Sequence, residues 1–108
     1  MLRHAALFRF KPDITTDQIE AAELALSTLP EKIDVLRKFR FGPDAGITEG
    51  TWDFAVVAVL DNADDYLAYR DHPAHVAVLR DYLAPLISEA ARIQFESEGE
   101  SMPRTRGS

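Results

Sequence analysis

The residues best suited to chemistry lie in one short run, Tyr69-Arg70-Asp71-His72-Pro73-Ala74-His75. Imidazole changes charge near neutral pH, so a histidine held neutral can take a proton from an activated carbon. A tyrosine hydroxyl nearby can donate a hydrogen bond to that base or to a substrate carbonyl. Proline disfavours helix at the residue before it and is well tolerated as a first helical residue. The run therefore predicts a helix ending near Asp71, a break at His72 and a second helix opening at Pro73. His75 falls in the first turn of that second helix, where free N–H groups and the positive end of the helix dipole oppose protonation. His75 is the candidate catalytic base and Tyr69 its assistant. His72 is read as serving the break, by capping or a local backbone contact.

The third histidine, His4, stands on the apolar face of an amino-terminal strand and would orient or hydrogen-bond the same ligand. Phe8, Phe10, Leu26, Leu79 and Tyr82 complete the expected lining, a small apolar pocket with few polar anchors. A zinc site built from His4, His72 and His75 is chemically conceivable. The proline break, and the lack of carboxylate or cysteine partners at ligand spacing, speak against it, so neither metal nor cofactor is expected. The chain has no cysteine, no nucleophile-elbow serine and no glycine-rich phosphate loop. Asp61, Asp64 and Asp65 read as loop and first-turn carboxylates near a helix N-terminus, and Trp52 as a packing residue.

The elements that must position these groups follow from periodicity. Leu2 to Lys11 alternate, with Leu2, His4, Ala6, Phe8 and Phe10 on one face, the period of a strand. Thr15 with Gln18 forms a capping-box pattern, and Ile19, Ala22, Leu26 and Leu29 make one helical stripe that Pro30 closes. Val35 to Phe41 reads as a second strand. Phe54 to Leu60 is an almost unbroken apolar run, the mark of a central strand covered on both faces. Asp61 or Asn62 caps a helix over Ala63 to Asp71. The helix from Pro73 carries Val76, Leu79, Leu83 and Leu86, and Pro85 bends or ends it. Ala91 to Glu96 reads as the last strand.

The order β-α-β-β-α-α-β is that of an α+β, ferredoxin-like split βαβ, a four-stranded antiparallel sheet with helices on one face. The other face carries Ala5, Leu7 and half of an apolar central strand, which a second copy would cover, sheet against sheet, in a symmetric homodimer. Residues 1–97 are expected to form one domain and residues 98–108 a flexible polar tail.

At 108 residues, 46% hydrophobic and 28% charged, the composition is that of an ordinary globular domain. The formal net charge of −6 argues against nucleic acid or an anionic membrane as partner. Arg37, Lys38 and Arg40 read as solvated strand positions. With no signal peptide or membrane-length apolar run, the expected location is the cytoplasm.

The chain resembles the dimeric α/β-barrel family of stress-responsive proteins, the Dabb domain. The match is carried by His4, Phe8-Arg9-Phe10-Lys11-Pro12, Thr15-Thr16-Asp17-Gln18-Ile19, Leu29-Pro30 and Tyr69 with His72-Pro73-Ala74-His75, over about residues 2 to 96. The resemblance implies a ferredoxin-like chain that pairs into a barrel. A plant polyketide cyclase of this family closes a linear polyketide by an aldol reaction without metal or cofactor. Its catalytic histidine corresponds to His75, its assisting tyrosine to Tyr69 and a further pocket histidine to His4. A second pocket tyrosine of that enzyme falls at about Leu26, where the two sequences part. Two function classes stay open on this reading. One is a cofactor-independent cyclase, lyase or isomerase acting on a small carbonyl or polyketide-like compound, with an apolar or aromatic ligand in the pocket. The other is a non-catalytic, stress-associated binding or assembly protein.

Overall fold

In the computed structural model, which describes residues 1–97, a four-stranded antiparallel sheet carries all of its helices on one face. The strands are β1 (Leu2–Phe10), β2 (Lys38–Pro43), β3 (Phe54–Leu60) and β4 (Ile87–Glu96), side by side in the order β2-β3-β1-β4. The helices are α1 (Thr16–Ser27), α2 (Leu29–Lys32), α3 (Ala63–Asp71) and α4 (Pro73–Val78). This is the expected ferredoxin-like α+β architecture. The tail expected from residue 98 lies outside the described residues.

Alternation in β1 is realised as predicted: Leu2, His4, Ala6 and Phe8 are buried under the helices, and the residues between them are only half-buried. Phe54, Val56, Ala58 and Leu60 of β3 lie on the same side and complete the floor of the core. Thr15 caps α1 reciprocally. Its hydroxyl accepts from Gln18 N at 3.2 Å and its own N–H donates to Gln18 Oε1 at 2.8 Å. Ala22, Leu26 and Leu29 drop from this segment into the core.

Asn62 caps α3 by accepting from Asp65 N at 2.9 Å. The neighbouring Asp61 instead holds Arg37 in a two-pronged ion pair at 2.6 and 3.1 Å. Arg37 is therefore an exposed paired cation just ahead of β2, not a strand position.

Four boundaries differ from expectation. Pro30 does not end the helical segment; it enters the first turn of α2, where its missing N–H is no loss. The second strand begins at Lys38, three residues later than expected, and runs on to Pro43, paired with Phe54. The last strand begins at Ile87, four residues early, because pairing with β1 continues past the apolar-polar alternation that betrayed it.

The helix opened by Pro73 stays regular only to Val78. It widens into a π-turn over Leu79–Leu83 and tightens to a 3-10 turn over Ala84–Leu86. A π-turn takes an extra residue, so the inward stripe steps from Val78 to Leu83. Val76, expected in the core, is turned outward and Val78 takes its place.

The register sorts the strand residues onto two sheet faces. On the helix side, His4 stands opposite Gln94 and Ala6 opposite Arg92; on the outer side, Ala5 stands opposite Ile93 and Val57, and Leu7 opposite Ala91 and Ala55. The outer face is thus an apolar stripe, on which Ile93 and Phe95 keep 58% and 45% of their surface exposed.

Candidate functional site

Between the sheet and the helices lies a cavity of about 540 Å³. Its apolar wall comes from β1, α1, β3 and the π-turn, through Ala6, Phe8, Leu26, Val56, Leu79 and Leu83. Its polar groups come from two directions. The strand side supplies His4, Arg92 and Gln94, and the α3–α4 corner supplies Tyr66, Tyr69, Arg70 and His75.

The corner is built by His72 and Pro73. His72 has extended backbone, ends α3 and caps α4: its Nδ1 accepts from Ala74 N at 3.0 Å. Pro73 occupies the first turn without needing a donor. His72 therefore spends its ring on the break, as expected. The turn directs the ring of His75 inward, where the residue is only 7% exposed.

His75 Nδ1 lies 2.9 Å from the carbonyl oxygen of Arg70. A carbonyl can only accept, so Nδ1 carries the hydrogen and Nε2 presents a lone pair. Across the cavity, Gln94 Nε2 lies 2.7 Å from His4 Nδ1. An amide nitrogen can only donate, so His4 Nδ1 is the acceptor and its Nε2 carries the hydrogen. The two imidazoles are held in opposite tautomers.

Tyr69 stands between them. Its ring centroid is 4.3 Å from that of His75 and 6.5 Å from that of His4, while Tyr66 packs on His4 at 4.8 Å. Among the described residues, no fully buried side-chain nitrogen or oxygen lacks a hydrogen-bond partner. The Tyr69 hydroxyl, His4 Nε2 and His75 Nε2 make no hydrogen bond with those residues, so they open to the cavity that they line.

Electrostatics fix the protonation states. Burial holds the His75 imidazole below its ordinary pKa, against the opposing pull of the Arg70 carbonyl. The expected direction is therefore met, but its leading cause is loss of water and not the helix dipole. Burial also lowers His4, helped by the nearby His75 and by the positive charge of Arg92. Burial and the neighbouring Tyr66 push the Tyr69 phenol well above its ordinary value, so it remains a hydrogen-bond donor.

Of the residues expected in the pocket, His4, Phe8, Leu26, Tyr69, His75 and Leu79 line it together. Phe10 and Tyr82 do not. The β1–β4 register slips at Arg9 and Phe10, and the Phe10 ring packs on Phe54 at 5.8 Å, beyond the end of the cavity. Tyr82 follows Val78 by four residues and would face inward in a regular helix. The π-turn puts Leu83 there and leaves Tyr82 43% exposed.

Sequence reasoning missed Tyr66, Arg70, Arg92 and Gln94. The polar residues of β4 alternate with Ile93 and Phe95, and only the pairing with β1 shows that the polar row faces the cavity. Trp52 stays outside the site, with the Arg9 guanidinium 4.3 Å above its ring.

The comparisons with known proteins agree with this architecture. The chain is similar to a dimeric ferredoxin-like protein of unknown function from Thermobifida fusca, with 46% identity and a TM-score of 0.81 over 87% of this chain and 88% of the other. It is 29% identical over 94 residues to an uncharacterised protein of Streptomyces coelicolor, covering 82% of this chain and 97% of that one. At the level of fold it also matches a hydroxynitrile lyase of Passiflora edulis, with 16% identity and a TM-score of 0.76 over 94% and 96% of the two chains. Residues 2–97 match the family described as the stress responsive A/B barrel domain. By that match across nearly its whole length, the chain belongs to the Dabb family of stress responsive A/B barrel domains.

Proposed function

We propose that the cavity is the active site of a cofactor-independent enzyme, a cyclase, lyase or isomerase that removes a proton from carbon next to a carbonyl. The observation that carries this reading is the opposed pair of tautomers. His75 offers a lone pair at Nε2, and His4 and Tyr69 offer hydrogens at Nε2 and the hydroxyl.

In the reaction, His75 Nε2 takes the proton. The electrons of the broken C–H bond form the enolate double bond, and the carbonyl oxygen takes up negative charge. Tyr69 and His4 donate hydrogen bonds to that oxygen. The proton on His75 is then available to the product, while the Arg70 carbonyl holds Nδ1 throughout. The apolar walls lower the polarity around these groups and strengthen each of these interactions. The similarity in fold to a hydroxynitrile lyase supports the view that this scaffold can host a lyase.

The acting form is a homodimer, paired through the outer face of the sheet. The exposed Ile93 and Phe95 beside Ala5, Leu7 and Val57 support this pairing, as does the dimeric description of the Thermobifida relative.

The test is hydrogen–deuterium exchange. A panel of ketones and β-diketones with apolar tails is incubated in D2O, and loss of the α-hydrogen signal is followed by NMR. Exchange above the imidazole-buffer rate, abolished by His75→Gln and retained by His72→Asn, is the expected result. No protein-dependent exchange for any member of the panel would leave the second reading, a stress-associated binding or assembly protein. The extended apolar outer face is what favours that alternative.

A further inference from the structure

The charged side chains that line the cavity are all of one sign. Its lining includes two arginines, Arg70 and Arg92, and no aspartate or glutamate. Arg70 is already neutralised, since its guanidinium holds Asp71 through two hydrogen bonds at 2.8 and 3.1 Å. The Arg92 guanidinium makes no hydrogen bond or ion pair with any of the described residues. It stands on β4 opposite Ala6, one alternation from Gln94, on the sheet face that carries His4. Its charge also reaches the inner groups, being one of the influences that keep the His4 imidazole unprotonated.

We infer that the ligand of this cavity is a small organic carboxylate, with its apolar body on Phe8, Leu26 and Leu83 and its carboxylate on Arg92. The inference rests on reading the cavity as a ligand site and adds the class of compound. A guanidinium presents two parallel N–H groups that match the two oxygens of a carboxylate. The neutral wall below Arg92 suits a hydrocarbon or aromatic body, and no acidic side chain in the lining opposes the anion. The chain as a whole has a formal net charge of −6 and repels anions, so a preference for an acid must be local.

The experiment uses three matched pairs of probes: phenylacetate, 3-phenylpropionate and octanoate, each against its primary amide. Affinities for the full chain are measured by ligand-observed NMR near neutral pH and low salt. At least one acid is expected to bind about tenfold or more tightly than its amide, in line with a charge-assisted hydrogen bond. Arg92→Gln should bring the acid to the level of the amide and leave the amide unchanged, while Arg70→Gln should preserve the preference. If amides bind as well as acids, or if the preference survives Arg92→Gln, the carboxylate assignment is wrong and the cavity reading stands. If no probe of either kind binds, both fail.

Discussion

His4 and His75 face one cavity with opposite ends of the same side chain chemistry. Gln94 donates to Nδ1 of the first, and Nδ1 of the second donates to the Arg70 carbonyl. One Nε2 therefore bears a hydrogen and the other a lone pair. Neither state is intrinsic to histidine; each is set by a partner whose hydrogen-bonding role cannot be reversed at that atom. A donor and an acceptor are thereby placed on either side of Tyr69.

This arrangement predicts a specific NMR signature. Long-range proton–nitrogen spectra of the neutral protein should show His75 as the Nδ1–H tautomer and His4 as the Nε2–H tautomer. Gln94→Glu should reverse His4 alone, because a carboxylate at that position accepts from Nδ1. Identical tautomers for the two rings in the unmodified chain would remove the basis of the proposed mechanism.

Stability should fall as the solution is acidified. Both imidazoles have a lower pKa in the fold than the 6.5 of a free histidine. Between the folded and unfolded values, the unfolded chain binds more protons, so stability rises with pH in that window. The loss therefore begins as pH drops through about 6.5 and continues until the folded-state values are reached. Thermal melts from about pH 7.5 to 5.5 should show the decline, and His4→Gln with His75→Gln should flatten it. A flat profile in the unmodified protein would contradict burial as the dominant influence on these rings.

Much of this site could be read from residue order alone, and the limits have physical causes. His75 and Tyr69 are positioned by Pro73, whose ring restricts the backbone whatever the surrounding fold does, so their corner was legible. His4 and Phe8 follow from strict alternation. Gln94 and Arg92 were not legible, because a strand with one polar and one apolar face does not say which face meets the helices. Here the polar row lines the cavity and the apolar row faces outward. Tyr82 and Val76 were misplaced for another reason. The π-turn over Leu79–Leu83 shifts the helical phase by one residue, and local propensity carries no sign of it.

Tyr69 offers a separation of structure from chemistry. Its ring is almost fully buried, touching Phe39, Tyr66 and His75, whereas its hydroxyl makes no hydrogen bond with the described residues. Tyr69→Phe should change unfolding free energy by less than about 1 kcal/mol, since it removes no intramolecular partner. It should slow enolate formation by roughly a hundredfold, the scale of a lost oxyanion donor. Tyr69→Ala should instead destabilise the fold by roughly 3–5 kcal/mol through the space left behind. Urea titration and the exchange assay together distinguish these outcomes; unimpaired exchange in Tyr69→Phe would exclude the hydroxyl from the reaction.

The outer face of the sheet offers a second copy of the chain an apolar surface. Ala5, Leu7, Val57, Ile93 and Phe95 form a continuous apolar surface on the side away from the helices. On a symmetry axis each such residue meets its own counterpart or a near neighbour, so a single substitution acts twice. Ile93→Asp places two unpaired carboxylates in that interface, and a charge buried without a partner costs several kcal/mol. The unmodified chain should sediment as a dimer at micromolar concentration. Ile93→Asp should sediment as a monomer while keeping its circular dichroism, because Ile93 takes no part in the core beneath the helices. A wild-type monomer, or a dimer indifferent to Ile93→Asp, would place the contact between copies elsewhere. Arg92 and Gln94 lie on the opposite face of the same strand from Ile93. Loss of dimer accompanied by loss of probe binding would therefore mean that pairing steadies β4, and with it the donor to His4.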